Sequence, residues 1–434
     1  MATGIPIANG TKEKNIRSCA ANGLDYHLEY ENKAPLQEIM LSTPAKLKCI
    51  IDGRGQNRNR IIYGENLRVL RTLLNDNEIA GKVRLIYIDP PFATNSRFES
   101  RKQKHAYTDQ LCGAKYLEFL RKRLVLMREI LADNGSIYVH LDENMAFTAK
   151  VLIDEIFGYK NFRNCIVRKK SNPKNYTHKR YGNIADYILF YTKTDDYIWN
   201  PPFEPWNDEA AKREYFYVEE GTGRRYKKVP IHAPGTRNGL TGQKWRDRSP
   251  PPGKHWQYIP SELDEMDKRG EIYWSSNGNP RRKIYLDKSK GIAVQDIWLD
   301  YKDAHNQNIH ITGYPTEKNS KLLSRIVQAS SNKGDLVLDA FAGSGTLAAV
   351  SDDCDRQWIV IDNSLLSIKT IIQRLTKGTS PMGDFVKQKI EPPTSQLLLN
   401  NATTSKSIDV FWEEAQDLED ISDAQIKEWR RSLC

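Results

Sequence analysis

The segment at residues 335–346, DLVLDAFAGSGT, decides the fold, because it joins an apolar strand, an aspartate and a glycine turn that opens a helix. A second segment at residues 83–92, VRLIYIDPPF, likewise ends an apolar strand in an aspartate, which two prolines follow. Near-continuous apolar strands of this kind belong to parallel sheets whose two faces are both covered. The two segments therefore predict strands that lie side by side in the core of an α/β protein.

Strands and helices alternate on both sides of these segments. The patterns RIIYG and ENLRVLRTLL precede the second segment, and YLEFLRKRLVLMREIL, SIYVHL, MAFTAKVLIDEIFG and DYILFYT follow it. After Gly313 the alternation resumes with the helix pattern EKNSKLLSRIVQASS, and the strand QWIVID follows the glycine turn. This alternation predicts an α/β fold with a doubly wound, mostly parallel, Rossmann-like sheet.

Shifts in composition divide the chain into five segments. The first segment is polar and rich in Asn, Lys and Gly, so we expect an arm with weak order. Between the two halves of the predicted sheet, the alternation gives way to paired prolines, many Trp and Tyr residues and basic clusters such as RRYKK and KWRDR, which indicates an inserted module. The predicted boundaries are 1–58 for the arm, 59–193 and 301–378 for the two halves of the sheet domain, 194–300 for the insert and 379–434 for a polar C-terminal extension.

The overall composition indicates a folded protein, and its basic charge favours a polyanionic partner, although such a charge can also serve solubility alone. Of its 434 residues 39% are hydrophobic, and the formal net charge is +10. The sequence contains no run of about 18 apolar residues, and its start lacks the layout of a signal peptide, so we expect a cytoplasmic protein without a membrane span. The six cysteines include no C-x-x-C pair, which disfavours a zinc site or a disulfide framework, and we expect no bound metal.

The glycine turn is a candidate cofactor site. Gly343 and Gly345 let the backbone approach a ligand closely, and the helix that starts there offers free N–H groups. Asp362, which ends the strand QWIVID, is placed to accept both hydroxyls of a ribose. The third position after Gly345 is Ala348, which disfavours a dinucleotide and favours a cofactor without pyrophosphate. A tight turn without a ligand is the alternative interpretation.

The tetrapeptide Asp89-Pro90-Pro91-Phe92 is a candidate pocket for an aromatic amine. The lone pair of such an amine is delocalised into the ring, so the nitrogen attacks well only when a carboxylate and a carbonyl each accept one N–H. Asp89 and the Pro90 carbonyl, in a turn stiffened by proline, are placed to do so. Phe92 offers a face for stacking, and a base that enters such a pocket must leave the duplex. The alternative is an ordinary strand-ending turn.

The two motifs, with the tetrapeptide preceding the glycine turn along the chain, resemble the amino-methylating DNA methyltransferases of the beta class. The likeness extends over residues 61–375 and includes GSIYVHLDEN, GYPTEKNSKLLSRIV and WIVID. It is greatest toward adenine-specific enzymes such as the modification subunits of Type III restriction systems. The resemblance implies S-adenosylmethionine (S-adenosyl-L-methionine) as the cofactor, double-stranded DNA as the substrate, and the basic insert as a target-recognition domain.

The resemblance also implies a role for individual residues. The catalytic pocket would consist of Asp89, Pro90, Pro91 and Phe92. The cofactor would lie against Glu65, Thr316, Lys318, Asp339, Phe341, Gly343, Gly345, Thr346 and Asp362. Within this set, Thr316 and Lys318 stand where the family binds the methionine carboxylate, although helix capping would explain them too, and Glu65 replaces a usual Asp. DNA contacts are expected from Lys244, Arg246, Lys254, Arg281 and Arg282.

The target base and the partners follow from the same resemblance. An Asp at the first position of the tetrapeptide accompanies adenine enzymes, whereas most cytosine enzymes have Ser, so Asp89 favours N6 of adenine over N4 of cytosine. Glutamine and RNA methyltransferases are alternatives, but their glycine motif normally precedes the tetrapeptide, whereas here it follows. A non-catalytic DNA-binding module is the alternative from another class. His140 and Asp142 are candidate polar groups near the pocket, although a histidine at a strand end is more often structural. A restriction endonuclease partner, solitary action and a homodimer are all compatible with the family.

Overall fold

The computed structural model describes residues 26–53, 59–91, 97–99, 105–108, 113–173, 179, 181–303, 310–312, 314, 317–381, 407–415 and 421–433. The chain divides into two compact units, a main unit formed by Met1–Asn200 with Gln295–Cys434 and an insert formed by Pro201–Val294. No helix in the described ranges is long and apolar enough to span a membrane.

The main unit is built on one ten-stranded sheet. In chain order its strands are β1 (Leu47–Ile51), β2 (Asn59–Tyr63), β3 (Val83–Ile88), β4 (Leu131–Leu141), β5 (Phe162–Lys169), β6 (Ala185–Thr192), β7 (Ile297–Trp298), β8 (Leu336–Asp339), β9 (Gln357–Asp362) and β10 (Ile408–Glu413). Across the sheet the order is β1-β10-β2-β9-β8-β3-β4-β6-β5-β7. Neighbours from β10 to β4 all run parallel, whereas β1 pairs antiparallel with β10, and β6 pairs antiparallel with both β4 and β5. The expected mostly parallel α/β sheet is confirmed.

Eight helices of the main unit accompany this sheet in the described ranges. They are α1 (Leu36–Met40), α2 (Asn66–Leu74), α3 (Gly113–Ile130), α4 (Ala146–Phe157), α5 (Ser320–Ser330), α6 (Thr346–Asp353), α7 (Leu365–Lys377) and α8 (Asp423–Leu433). Two short antiparallel pairs, Arg97–Glu99 with His105–Thr108 and His310–Ile311 with Ser380–Pro381, lie outside the main sheet.

Alternation along the central strands distributes their side chains between two cores. In β9, Ile359 and Ile361 join one buried cluster, whereas Trp358 and Val360 join the other. Because successive side chains of a strand point to opposite faces, the two clusters lie on the two faces of the sheet. Helices α2, α3 and α4 contribute to the first cluster, and α7 and α8 contribute to the second. This two-sided burial explains why the strands are nearly continuous apolar runs.

Both chain ends differ from the expectation of polar peripheral segments. Strand β1, within the expected N-terminal arm, pairs with β10, and β10, within the expected C-terminal extension, also pairs in parallel with β2. Val410 and Trp412 of β10 are buried. The segment that contains FWEE thus belongs to the sheet and not to a peripheral polar extension, because it pairs with two other strands.

The insert is a small unit with its own sheet and core. Four antiparallel strands, Tyr217–Val218, Arg225–Pro230, Pro280–Tyr285 and Ile272–Trp274, follow one another across its sheet. Its other elements are the strand pairs Phe203–Glu204 with Ile292–Ala293 and His232–Pro234 with Lys254–Trp256, and the helices Asp208–Glu214 and Pro260–Lys268. Its core consists of Ile231, Trp245, Trp256, Leu263, Met266 and Ile272.

Candidate active site

A cleft opens at the carboxyl ends of β3, β8 and β9, where parallel strands place their last residues side by side. It encloses about 890 Å³, including space open to solvent. The described residues that line it are Asn66, Tyr87, Asp89, Pro90, Pro91, Tyr314, Lys318, Leu323, Asp339, Ala340, Phe341, Ala342, Gly343, Ser344, Thr346, Leu347, Asp362, Asn363 and Ser364. Both sequence motifs therefore face one cavity.

Asp89 follows the last residue of β3 and is held on one side only. Its Oδ2 lies 2.9 Å from the Lys318 Nζ, and the two side chains are 18% and 9% exposed. Its Oδ1 is buried and accepts no hydrogen bond from any residue that the structure describes. A buried carboxylate oxygen without a donor is costly, so this atom is a strong acceptor for an N–H group brought by a ligand.

A buried polar network lies behind Asp89. The Tyr87 hydroxyl and His140 Nδ1 are 2.8 Å apart, and Nδ1 is 3.9 Å from Asp89 Oδ1. His140 Nε2 is 3.4 Å from Asp186 Oδ2, and Lys170 Nζ is 2.8 Å from Asp186 Oδ1. His140 is therefore a polar neighbour of the pocket, whereas Asp142 caps the turn before α4 by accepting the backbone N–H of Met145 at 3.2 Å.

The network fixes the charge state of His140. Burial, followed by the charge of Lys318, lowers the pKa of His140, so the ring is neutral at neutral pH. Burial opposes ionisation of Asp186, but the nearby His140 ring and the charges of Lys318 and Lys170 hold its pKa well below the usual range. An ionised Asp186 favours the proton on Nε2, which leaves Nδ1 to accept from the Tyr87 hydroxyl.

The glycine turn between β8 and α6 is held by two carboxylates. Gly343 and Gly345 have φ values of +51° and +71°, the left-handed conformation that glycine adopts without strain. Asp339 accepts the N–H of Phe341 at 2.8 Å. Asp362 accepts the N–H of Gly343 and the N–H of Ser364, each at 2.8 Å. The carboxylate predicted for a ribose therefore also fixes the turn.

Carboxylates crowd this cavity. Burial raises the pKa of Asp339 well above its usual value, and the charges of Asp89 and Asp362 raise it further. Burial also raises the pKa of Asp362 to about 6. Lys318 is the one cation among the described lining residues. The site therefore favours a ligand that carries positive charge.

Three predicted site residues, one catalytic and two cofactor-binding, lie elsewhere or outside the described residues. Phe92 and Thr316 belong to the latter group. Glu65 caps α2 by accepting the N–H of Arg68 at 3.1 Å, pairs with Arg123, and does not line the cavity. The next residue, Asn66, does line it and donates its side-chain N–H to the Ala340 carbonyl at 2.8 Å.

Some residues at this site were missed by sequence reasoning. Tyr87, Asp186 and Tyr314 each occupy an unremarkable position in an apolar or loop pattern. Among these three residues, only Asp186 stood out in the sequence, because it is a charged residue at the start of the otherwise apolar strand DYILFYT. No group of three or more His, Cys, Asp and Glu side chains that could hold a metal ion occurs within the described ranges.

The five basic residues predicted to contact DNA fall into two groups. Lys244, Lys254 and Arg281 are exposed, and so is Arg246. Arg246 also pairs with Asp264 and Asp267, and the partly buried Arg282 donates to the Tyr258 hydroxyl. These internal contacts give Arg246 and Arg282 a role within the insert that the basic pattern alone did not indicate.

The insert also has a cationic cleft of its own. It is lined by Pro230, His232, Arg248, Ser249, Pro251, Trp256, Asn279, Pro280 and Arg281, and no carboxylate belongs to this lining. Burial, and then the charges of Lys254 and Arg281, lower the pKa of His232. The cleft therefore suits an anionic ligand.

Comparison with known proteins gives consistent likenesses. Residues 83–373 match the family model described as DNA methylase, N6_N4_Mtase. The chain is similar to the Type II methyltransferase M.EcaI of Enterobacter cloacae, with 47% identity over 345 residues that cover 80% of this chain and 75% of the relative. It is also similar to the Type III restriction-modification enzyme StyLTI Mod subunit of Salmonella typhimurium, with 26% identity over 396 residues that cover 81% of this chain and 59% of the relative. Among solved structures, the M1.HpyAVI–SAM complex aligns with a TM-score of 0.40 and 16% identity, covering 73% of this chain and 98% of that one.

Proposed function

The chain belongs to the family of DNA methylases that modify N6 or N4 amino groups, and from this premise we propose that it transfers a methyl group from S-adenosylmethionine to N6 of adenine in double-stranded DNA. One observation carries the proposal. Asp89 lies beside the glycine turn in a single cavity, with a buried Oδ1 that accepts nothing from the described residues.

Asp89 and Pro90 would activate the amine. An N–H donated to Asp89 Oδ1 satisfies that buried oxygen, and the second N–H is available to the carbonyl of Pro90, which lines the same cavity. Two accepted hydrogen bonds draw electron density back onto the nitrogen and orient its lone pair. The adenine must leave the base stack to reach this depth, because a stacked base hides its amino group.

The residues present fit S-adenosylmethionine. The cofactor supplies an electrophilic methyl group on a sulfonium, and it also carries an ammonium and a carboxylate. Three aspartates and one lysine line the cavity, which complements two positive centres and one negative centre. A Cβ at position 343 would point toward the Tyr314 ring, 3.4 Å from Cε1, so glycine keeps room in the cradle. Asp339 and the Gly343–Thr346 turn would hold the methionine portion, and Asp362 the ribose.

The choice of adenine rests on Asp89. A carboxylate accepts a stronger, charge-assisted hydrogen bond than the hydroxyl that most cytosine enzymes of this family carry there. N4 of cytosine presents the same two N–H groups and is the alternative target.

The insert would bind the DNA. Between residues 201 and 294 it contains 18 Lys and Arg residues and 13 Asp and Glu residues, a net charge of +5. We assign the contact to its cationic cleft, where Arg248 and Arg281 are available for phosphates or base edges. Lys254, on the adjoining strand, adds positive charge. We further propose that the enzyme is cytoplasmic and associated with the nucleoid. It would act either alone or with a restriction endonuclease, and it would form a homodimer.

The decisive experiment identifies the methylated base. Purified protein is incubated with labelled S-adenosylmethionine and unmethylated duplex DNA, and the DNA is digested to nucleosides. We expect label in N6-methyladenine. Label only in N4-methylcytosine would overturn the choice of base, and absence of transfer to any DNA would support a non-catalytic DNA-binding module.

A further inference from the structure

The charges of the cavity do not balance within the described residues. Asp89, Asp339 and Asp362 line it together with a single cation, Lys318. The Lys318 Nζ lies 2.9 Å from Asp89 Oδ2, so this oxygen already has a cationic partner before any substrate binds. If the proposed cofactor binds here, its carboxylate has no other lysine or arginine among the described lining residues.

The backbone around Lys318 is anchored on both sides. Glu317 accepts the backbone N–H of Thr312 at 2.8 Å and pairs with the buried Arg374 of α7. Asn319 caps α5 by accepting the N–H of Lys321 at 2.9 Å and donates to the Lys302 carbonyl at 3.2 Å. Any change of partner must therefore come from the Lys318 side chain, whose four-carbon stem and rotatable donors allow it.

We propose that Lys318 is an exchangeable positioning residue, which pairs with Asp89 in the ligand-free protein and moves to the carboxylate of the bound cofactor. The inference rests on the proposed function, because it takes S-adenosylmethionine as the ligand. The exchange leaves Asp89 Oδ2 free while the cationic groups of the ligand supply the positive charge that the three aspartates require.

The exchange has a consequence for substrate binding. Of the two Asp89 oxygens, Oδ1 accepts no hydrogen bond from the described residues, and Oδ2 is held by Lys318. Once Lys318 has moved, the whole carboxylate can turn toward the target amine. The cofactor carboxylate, remote from the methyl group, thereby prepares the acceptor side of the site.

Ligand binding to the full chain tests the exchange without knowledge of the DNA sequence. The two probes are S-adenosylhomocysteine and its decarboxylated analogue, which lacks only the carboxylate, and affinities are measured by titration calorimetry. Asp89→Asn removes the competitor for Lys318 and keeps the shape of the side chain. We expect this variant to bind S-adenosylhomocysteine about tenfold more tightly, the typical worth of a hydrogen bond to a charged group. Its affinity for the decarboxylated analogue should stay within about twofold of wild type.

Lys318→Met is the matched control, since it keeps the length of the stem and removes the charge. It should weaken S-adenosylhomocysteine and leave the analogue unchanged, and Asp89→Asn should bring no gain in the Lys318→Met background. Equal effects of Asp89→Asn on the two probes, or no effect on either, would overturn the exchange while the cofactor assignment stands. Failure of wild-type protein to bind either probe would instead overturn the cofactor assignment and the exchange together.

Discussion

Replacement of Gly343 and of Gly345 by alanine should affect the stability of the protein and its affinity for the cofactor to different extents. Both residues have positive φ, so an alanine costs about 1–2 kcal/mol of backbone strain at either position. A Cβ at 345 would lie 2.7 Å from Ile371 Cγ1, within the buried core under α7, whereas a Cβ at 343 would lie 3.4 Å from Tyr314 Cε1, an ordinary contact. Overpacking of a core adds about 1–3 kcal/mol, so Gly345→Ala should lose that much more free energy of unfolding than Gly343→Ala.

Urea unfolding monitored by tryptophan fluorescence measures this difference, because Trp358 and Trp412 lie in the same core cluster as Ile371. Calorimetry with S-adenosylhomocysteine provides the second readout. Gly343→Ala should lose more affinity for this ligand than its stability change explains, since the added methyl faces the cavity. Equal losses of stability in the two variants, or a larger loss in Gly343→Ala, would refute the packing argument.

Three further outcomes are expected. Asp89→Ala should lose methyl transfer by several orders of magnitude and still bind S-adenosylhomocysteine, and retained turnover in a tritium-transfer assay would contradict the mechanism. Lys254→Ala and Arg281→Ala should each weaken DNA binding. The slope of log K against log[salt] should become shallower by about one for each phosphate that is no longer neutralised. Arg246→Ala is the control, because Arg246 pairs within the insert, and it should leave this slope unchanged. Because burial raises the pKa of Asp362 from 3.8 to about 6, its contribution to stability should fall as pH rises through this interval and stay constant above it. Asp362→Asn should reduce the dependence of stability on pH in urea titrations across this interval.

The sequence contained enough to place the two aspartates that matter most. Each ends an apolar strand, and parallel pairing of β3 with β8 brings Asp89 and Asp339 to the same edge of the sheet. Their pattern is local, since strand periodicity and turn residues lie within a dozen positions of each motif.

Other features depend on contacts between distant parts of the chain, which no local pattern reports. The sequence around Lys318 is that of an ordinary solvated lysine near the start of a helix, and only the fold shows that it pairs with Asp89. Strand β10 lies in a segment whose composition predicted only a polar extension, and its pairing with β1 and β2 determines its conformation. Arg246 lies in a basic cluster, yet two aspartates of the helix Pro260–Lys268 take its charge.

The position of β10 also bears on how the chain is made. It lies between β1 and β2, so the hydrogen-bonding edge of β2 that it covers stays bare until residues 408–413 leave the ribosome. A bare strand edge is a template for pairing with another chain. Until β10 has emerged, the polypeptide therefore carries an open sheet edge next to a partly built core, a state prone to aggregation. Strand β10 removes this hazard when it pairs with β2.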